Sequence, residues 1–156
     1  MNAVSLFEWL HTGTFGPITL GMTRSEVRAL LGPPDNWSVA RNADRSPIIW
    51  KYGDFEFYFD SRDGPLHLLR TDTFRKPVGG KAFTLDPWIL RRGLSRRAVK
   101  RQLASCGIDA HWRTVPHDSN QIVLDIPGSG VTLSFILRHK NSSPPTGLHS
   151  LSATTR

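Results

Sequence analysis

Apolar residues between positions 23 and 31 recur at helical spacing. Val27, Leu30 and Leu31 fall on one side of a helix and form a single apolar stripe. Thr23 and Glu26 have the spacing of a capping box, which predicts that the helix begins at this threonine. The pattern therefore predicts an amphipathic helix that packs its apolar stripe against a core.

Two apolar and aromatic runs follow this helix, and they flank a Gly-Asp pair that suits a tight hairpin turn. In the second run, Phe55, Phe57 and Phe59 alternate with Glu56 and Tyr58. Successive side chains of a strand point to opposite faces of the sheet. We therefore expect the phenylalanines on one face and the other two residues on the opposite face.

The second half of the chain repeats the first. Residues 93–100 match residues 21–28 at an offset of 72, with Gly, Arg and Val unchanged and three further positions conservative. Further along, Trp37 corresponds to Trp112, and the alternating phenylalanines correspond to apolar residues within 131–135. Internal duplication determines architecture, so we expect two copies of one structural unit.

Each copy is predicted to begin with a short helix. This helix runs from Ser5 to about His11 in the first copy and starts at Asp86 and Pro87 in the second, since these residue types favour helix starts. A main helix and about four strands follow. The sequence therefore predicts an α+β fold of two tandem units, each a helix-loop-helix on a four-stranded antiparallel sheet, with the two sheets side by side.

The predicted units occupy residues 1–76 and 82–156. A linker is expected at 77–81, because Pro and Gly are concentrated where the two copies meet. The chain of 156 residues is short enough for both units to form one compact structural domain.

Charge is distributed unevenly along the chain. There are 20 Lys and Arg against 13 Asp and Glu, a net charge of +7. Residues 1–78 hold 9 basic and 9 acidic residues, whereas residues 79–156 hold 11 basic and 4 acidic ones. The whole excess lies in the second half, which predicts an anionic partner surface, either an acidic protein or nucleic acid.

Composition also bears on the compartment. No stretch approaches the ~18 apolar residues of a membrane span, so no membrane association is expected. The first residues lack the basic start and the small-residue cleavage site of a secretion signal. Cys106 is the only cysteine, so no intrachain disulfide can form. These features predict a cytoplasmic protein.

The helix and strand patterns resemble a known superfamily. The run I-x-x-G-M-T-x-x-x-V-x-x-L-L-G-x-P over residues 18–34 resembles the helix signature of the SmpA/OmlA group of outer-membrane assembly lipoproteins. The run W-x-Y-G over residues 50–53 resembles the strand that follows it. Two such units in one chain are similar to the β-lactamase-inhibitor-protein (BLIP-like) fold. The resemblance implies non-catalytic binding of other proteins through the exposed sheet face and its loops.

The chain departs from these relatives in its cysteines. It lacks both the lipidated N-terminal Cys of the lipoproteins and the paired cysteines of the secreted inhibitors. Neither outer-membrane assembly nor β-lactamase inhibition is therefore carried over to this protein.

Residues 91–101 form the densest charge cluster of the chain. Arg96, Arg97, Lys100 and Arg101 lie at helical spacings on the side away from the apolar positions. This segment is either a solvated helix face or a surface for an acidic protein or nucleic acid. A protein partner is favoured, because no aromatic residue is interleaved with these charges and no nucleic-acid-binding motif is present.

The face of the sheet opposite the core is a second candidate surface. Its predicted residues alternate along the strands with those that face the core. A Trp-Arg pair is added to them, because Trp, Tyr and Arg dominate binding hot spots. The alternative is an ordinary polar sheet surface. The residues predicted to bind a partner here are Lys51, Glu56, Tyr58, Trp112, Arg113 and Asp125.

No catalytic, cofactor or metal-binding pattern is recognisable in the sequence. The six histidines do not complete a set of metal ligands, and neither a phosphate-binding loop nor a nucleophile elbow is present. We therefore expect no enzyme activity and no cofactor. The predicted function is a protein-binding module, most concretely an immunity-type or antitoxin-like inhibitor of an acidic toxin or enzyme. The alternatives are a nucleic-acid-associated protein that uses the basic helix at 91–101, and a structural or assembly adaptor.

Overall fold

Helices begin at capping hydroxyl groups in the computed structural model, which describes residues 2–39, 47–61, 63–72, 77–91, 93–137 and 147–155. They are α1 (Leu6–Thr12), α2 (Arg24–Leu31) and α3 (Arg96–Ser105). The Ser5, Thr23 and Ser95 side chains each accept a hydrogen bond from the backbone N–H three residues later. None of these helices has the length and apolar content needed to cross a membrane.

The described chain forms ten strands, and eight of them make up one antiparallel sheet. In chain order the strands are β1 (Asn2–Ser5), β2 (Asn36–Val39), β3 (Pro47–Tyr52), β4 (Phe55–Phe59), β5 (Leu66–Thr71), β6 (Phe83–Asp86), β7 (His111–Val115), β8 (Asp118–Ile126), β9 (Val131–Ile136) and β10 (Gly147–Thr154). The large sheet has the order β2-β3-β4-β5-β10-β9-β8-β7, while β1 and β6 pair with each other in parallel.

The two halves of the large sheet have the same arrangement: from each outer edge toward the centre, four strands follow one another in chain order. β2 to β5 lead inward from one edge and β7 to β10 lead inward from the other. The two series meet where β5 pairs with β10, with Leu69 opposite Ala153 and Thr71 opposite Leu151. Each half of the chain therefore contributes four consecutive strands, and this pairing makes the sheet continuous.

One face of the large sheet carries the hydrophobic core. Phe55, Phe57 and Phe59 on β4 are at most 1% exposed. The Phe15 ring lies 4.8 Å from the Phe55 ring and 6.0 Å from the Phe57 ring, while the Phe59 ring packs 5.0 Å from Trp50. Buried aliphatic residues of α2 and α3 join the same core. Each such burial stabilises the fold by roughly 1.5–3 kcal/mol.

The predicted fold class is wrong. The protein is mostly sheet, with far more strand than helix, and the described residues form one eight-stranded antiparallel sheet and a small parallel pair instead of two helix-loop-helix units, each on a four-stranded sheet. The first half contains two helices, α1 and α2, but the described part of the second half contains only α3.

The helix predicted to start at Asp86 and Pro87 is replaced by a turn. Asp86 ends β6, and its Oδ1 accepts the backbone N–H of Trp88 at 2.9 Å. Trp88 has a φ of 54°, which interrupts any helical path. An aspartate hydrogen-bonds a turn as readily as a helix start. Here Asp86 lies in a strand because β6 pairs in parallel with β1, which is distant in sequence.

The segment predicted as a linker, residues 77–81, packs on the hairpin between β3 and β4. The Asp54 N–H donates to the Val78 carbonyl at 3.0 Å, and the Val78 N–H donates to Asp54 Oδ2 at 2.9 Å. Gly53 in this hairpin has a φ of 58°, and a Cβ there would collide with the Val78 carbonyl oxygen. The division into two units at this segment stays a prediction, and residue 76 lies outside the described residues.

Candidate functional site

The residues predicted to bind a partner lie on two different surfaces. Lys51, Glu56, Tyr58, Arg113 and Asp125 lie on the face of the large sheet opposite the core, here called the open face. Trp112 and the four basic residues of α3 lie on the side of the sheet that the helices cover. The structure therefore brings together the five residues of the helix side, whereas the five of the open face form two separate clusters, one on β3 and β4 and one on β7 and β8.

Trp112 was predicted to lie on the open face beside Arg113, and this placement is wrong. Trp112 is opposite Leu124, a core residue that is 0% exposed, and its ring lies 5.6 Å from the Phe135 ring. Adjacent residues of a strand point to opposite faces. Arg113, the next residue of β7, therefore points to the open face, where it binds Asp125.

The charges of the open face are paired with one another. Lys51 Nζ lies 2.8 Å from Glu56 Oε1, across the β3–β4 pairing. At the other end of the sheet, Arg113 donates to both carboxylate oxygens of Asp125, at 2.6 and 3.2 Å, and the Thr132 hydroxyl donates to the same carboxylate at 2.9 Å. These groups already have hydrogen-bond partners, so they stabilise the sheet as a ladder of cross-strand pairs.

The side chains of Glu56 and Tyr58 are strongly coupled. The Tyr58 hydroxyl donates to Glu56 Oε2 at 2.6 Å. Burial, followed by this hydrogen bond, raises the pKa of Tyr58 to about 12. Burial alone would raise the pKa of Glu56, but hydrogen bonds from Lys51 and Tyr58 outweigh it and lower the pKa. Tyr58 is therefore a neutral donor to an ionised carboxylate over the whole physiological range.

The exposed side of α3 forms a basic surface with Trp112. We use the name α3 surface for Arg96, Arg97, Lys100, Arg101 and Trp112, which together with Ser95 line an open groove of about 560 Å³. Arg96 Cζ lies 5.9 Å and Lys100 Nζ 5.8 Å from the centroid of the half-buried Trp112 ring. Cations at this distance are attracted by the face of an aromatic ring.

No carboxylate lies within ion-pair distance of these four cations among the residues that the structure describes. The ring of Trp112 positions Arg96 and Lys100, while Arg97 and Arg101 extend further round the helix into solvent. Four cations on one exposed helix face repel one another unless an anion neutralises them. The α3 surface is therefore built to favour a negatively charged partner.

The corresponding helix of the first half provides an internal comparison. Arg24 of α2 matches Arg96, but it is half-buried, donates to the Ser61 carbonyl at 2.8 Å and stacks on the Phe59 ring at 4.9 Å. The positions that match Arg97 and Arg101 are Ser25 and Ala29. The two surplus arginines are therefore what distinguishes the α3 surface from its counterpart.

The role of Trp112 in a basic groove escaped the sequence reasoning. The nearest aromatic residues seemed separate from the charges because Trp112 follows α3 by several residues along the chain. The pairing of β7 with β8 returns it beneath the helix. The repeat offered a usable signal, since Trp37 and Trp112 occupy matching positions on the first strand after each main helix.

The described histidine, cysteine and carboxylate side chains are dispersed. Within the described ranges, no three His, Cys, Asp or Glu residues are placed to hold a metal ion. Cys106 is exposed at the end of α3, and its Sγ has the Ser105 hydroxyl 4.0 Å away. The α3 surface therefore remains the arrangement with the clearest chemical preference.

Comparison with known proteins gives information on the fold only. No protein-family model matches the chain, and no curated protein matches it significantly. A crystal structure of a DUF4309 family protein (YjgB) from Bacillus subtilis is similar to it, with a TM-score of 0.51 and 15% sequence identity over 96% of this chain and 93% of that one. The chain thus shares its overall fold with that protein. The resemblance to the SmpA/OmlA and BLIP-like superfamily stays a prediction.

Proposed function

We propose that this protein is a non-catalytic binding module that recognises an acidic surface of a partner protein through its α3 surface. The observation that carries this proposal is the group of four exposed cations around a half-buried tryptophan, with no carboxylate among the described residues to neutralise them. The open face is a weaker candidate, because its charges are already paired.

Electrostatics and residue type both support this choice. A concentrated positive patch steers an acidic partner toward it and raises the association rate. Arg and Trp are enriched among the residues that dominate binding energy. Trp112 supplies a rigid apolar surface, and the cations that stack on it are held in place before binding, which reduces the entropy lost on association.

Charge reversal at matched positions tests the proposal. The partner is first captured with the wild-type chain under cross-linking and then purified, so that its affinity can be titrated. The double variant Arg97→Glu/Arg101→Glu should weaken the complex by roughly tenfold or more, and added salt should weaken the wild-type complex in the same direction. The control variant Ser25→Glu/Ala29→Glu introduces the same charges at the equivalent positions of α2 and should bind like the wild type. Equal affinity of both double variants would refute the proposal.

The inhibitory role expected from the superfamily resemblance is a separate prediction. When the captured partner is an enzyme or toxin, its activity is titrated with the purified chain. Loss of activity that is complete at one equivalent supports an inhibitor. A stable complex with full activity instead supports an adaptor.

Nucleic acid is the second candidate partner, because Trp112 lies among the cations. Aromatic rings within a basic groove are what single-stranded nucleic acid binds, by stacking and by phosphate contacts. Titration with a single-stranded oligonucleotide over a range of salt concentrations distinguishes the two partners. Binding that falls steeply with salt and is lost on Arg97→Glu/Arg101→Glu, without a stoichiometric protein complex, would replace the proposed partner.

A further inference from the structure

β7 is an exposed edge strand beside the α3 surface. It is the last strand of the large sheet, and its only strand neighbour among the described residues is β8. His111, Arg113 and Thr114 are exposed, so the described structure leaves this strand accessible. A free edge presents unpaired backbone N–H and C=O groups that can pair with another strand.

The pairing pattern shows which residues of β7 point their backbone groups outward. The Leu137 N–H donates to the Asn120 carbonyl at 2.7 Å, at the end of the β8–β9 pairing. In antiparallel pairs, the residues of a strand bond alternately to its two sides. Even-numbered residues of β8 therefore bond to β9, and odd-numbered ones, such as Val123, bond to β7.

This alternation fixes the orientation of β7. Arg113 is opposite Val123 and bonds inward, so the backbone N–H and C=O groups of Trp112 and Thr114 point to the free edge. Among the described residues no strand other than β8 pairs with β7, so strand pairing leaves these two N–H groups unbonded. Two residues with outward N–H and C=O groups are a short template for an added strand.

The side chains beside this template are those of the α3 surface. Trp112 points to the helix side of the sheet, beneath Arg96 and Lys100. A strand added next to β7 would also alternate its side chains between the two faces. Every second residue of that strand would then point to the helix side of the sheet, where Trp112, Arg97 and Arg101 line the groove.

We infer that the partner binds as an extended acidic segment that adds a strand to the free edge of β7, with carboxylates at alternate positions under the cations of α3. This inference rests on the proposed function and specifies how the α3 surface recognises its partner. Main-chain hydrogen bonds supply affinity in this mode, and alternate side chains supply specificity. Charge complementarity selects the acidic strand, since the cations lie on the side to which its alternate residues point.

The opposite edge of the sheet is less suited to this occupant. β2 is also an exposed edge strand, and Trp37 on it is 57% exposed. However, Ser25 and Ala29 stand in α2 where α3 has Arg97 and Arg101. An acidic strand at β2 would lack these two cations, and the N–H of Trp37, which matches Trp112, already donates to Asn36 Oδ1 at 2.8 Å.

The test uses two synthetic probe peptides of about ten residues, a length that covers one strand. The first alternates Glu and Thr. The second has the same sequence with a methyl group on every backbone nitrogen, so it keeps the side chains and the charge but loses the N–H groups that pair with a neighbouring strand. The full chain should bind the first peptide roughly tenfold more tightly than the second, as measured by fluorescence anisotropy of a label on the peptide.

Variants of β7 complete the test. Thr114→Pro removes an outward N–H and is tolerated at the outer side of an edge strand, whereas the control Thr114→Ala keeps the N–H. Thr114→Pro should reduce the affinity for the alternating peptide toward that for the N-methylated peptide, and Thr114→Ala should leave it unchanged. Amide hydrogen exchange measured on the wild-type chain tests the same contact without relying on the correct folding of Thr114→Pro. The Trp112 and Thr114 amides should exchange more slowly when the alternating peptide is bound.

The outcomes separate the two proposals. Equal affinity for both peptides, with unchanged exchange at Trp112 and Thr114, would overturn strand addition while binding to an acidic surface still stands. Failure of both peptides to bind, or binding that Arg97→Glu/Arg101→Glu does not weaken, would overturn the acidic-partner proposal itself. Competition by a single-stranded oligonucleotide that leaves the exchange of these amides unchanged would assign the groove to nucleic acid.

Discussion

Glu56→Gln tests whether the open face stabilises the fold. This substitution keeps the shape of the side chain and removes its charge. In the wild type, the carboxylate binds Lys51 Nζ at 2.8 Å and accepts the Tyr58 hydroxyl at 2.6 Å. The Gln side chain can still accept from Tyr58, but it cannot form an ion pair.

The expected loss follows from these contacts and their exposure. A hydrogen bond to a charged group contributes about 1.5–3 kcal/mol, and an exposed ion pair about 0–1 kcal/mol. The Lys51 side chain is 43% exposed and that of Glu56 is 27% exposed, so solvent screens the pair and the lower ends of these ranges apply. We therefore expect Glu56→Gln to lower the free energy of unfolding by about 1–2 kcal/mol at neutral pH.

The pH dependence of this loss gives a second readout. The pKa of Glu56 is lowered from 4.5, because hydrogen bonds from Lys51 and Tyr58 outweigh the opposing effect of burial. The unfolded chain then binds a proton more readily than the folded one. The stabilisation is fully present above the unfolded pKa and is lost as the pH falls through the folded pKa. The difference in stability between wild type and Glu56→Gln should therefore shrink as the pH falls below 4.5 and disappear below the lowered pKa of the folded state.

Urea unfolding at neutral pH and at several acidic values measures both effects. A double-mutant cycle with Tyr58→Phe measures the coupling between the two side chains, because Tyr58→Phe removes the hydrogen bond and Glu56→Gln removes the charge that strengthens it. A difference between wild type and Glu56→Gln that stays constant into the acidic range would refute the reasoning. The same variants should leave binding at the α3 surface unchanged.

Three further changes test the core, a turn and the helix starts. Phe57→Ala should lower the free energy of urea unfolding by about 3–5 kcal/mol, since its ring is 0% exposed; a loss near that of a surface substitution would contradict this packing. Gly53→Ala should cost about 1–3 kcal/mol in the same assay, because its φ is 58°, whereas Gly128→Ala, with open space at its Cβ, should be nearly neutral. Thr23→Ala should lower the melting temperature more than Ser95→Ala, because only Thr23 belongs to a capping box; equal shifts would contradict this.

Features that depend on neighbouring residues were predictable from the sequence. The capping box of Thr23 and Glu26 forms as predicted, since both partners lie within one helical turn. Phe55, Phe57 and Phe59 are all buried on one face, as their alternation predicts. In both cases the interactions that determine the structure involve residues a few positions apart, so the local sequence pattern is enough to predict it.

Features that depend on distant strands were not predictable in this way. Asp86 has a local sequence that suits a helix start, but the pairing of its strand with β1 places it in a turn. The joining of the two halves into one sheet depends on β5 and β10, which no local pattern connects. The error in the Trp112-Arg113 pair was avoidable, since neighbours on a strand cannot share a face.

The two edges of the sheet are nearly equivalent. The number of peptides that bind per chain therefore tests whether the edge strand or the helix charge selects the partner. Both edges offer an exposed strand beside a helix, so a ligand that recognised any exposed edge strand would bind twice, at β2 and at β7. Arg97 and Arg101 break this equivalence, because Ser25 and Ala29 occupy the matching positions of α2. We therefore expect one alternating Glu-Thr peptide per chain in a calorimetric titration. Introducing Ser25→Arg/Ala29→Arg should create a second site, and failure to do so would show that charge on the helix is insufficient to select the edge.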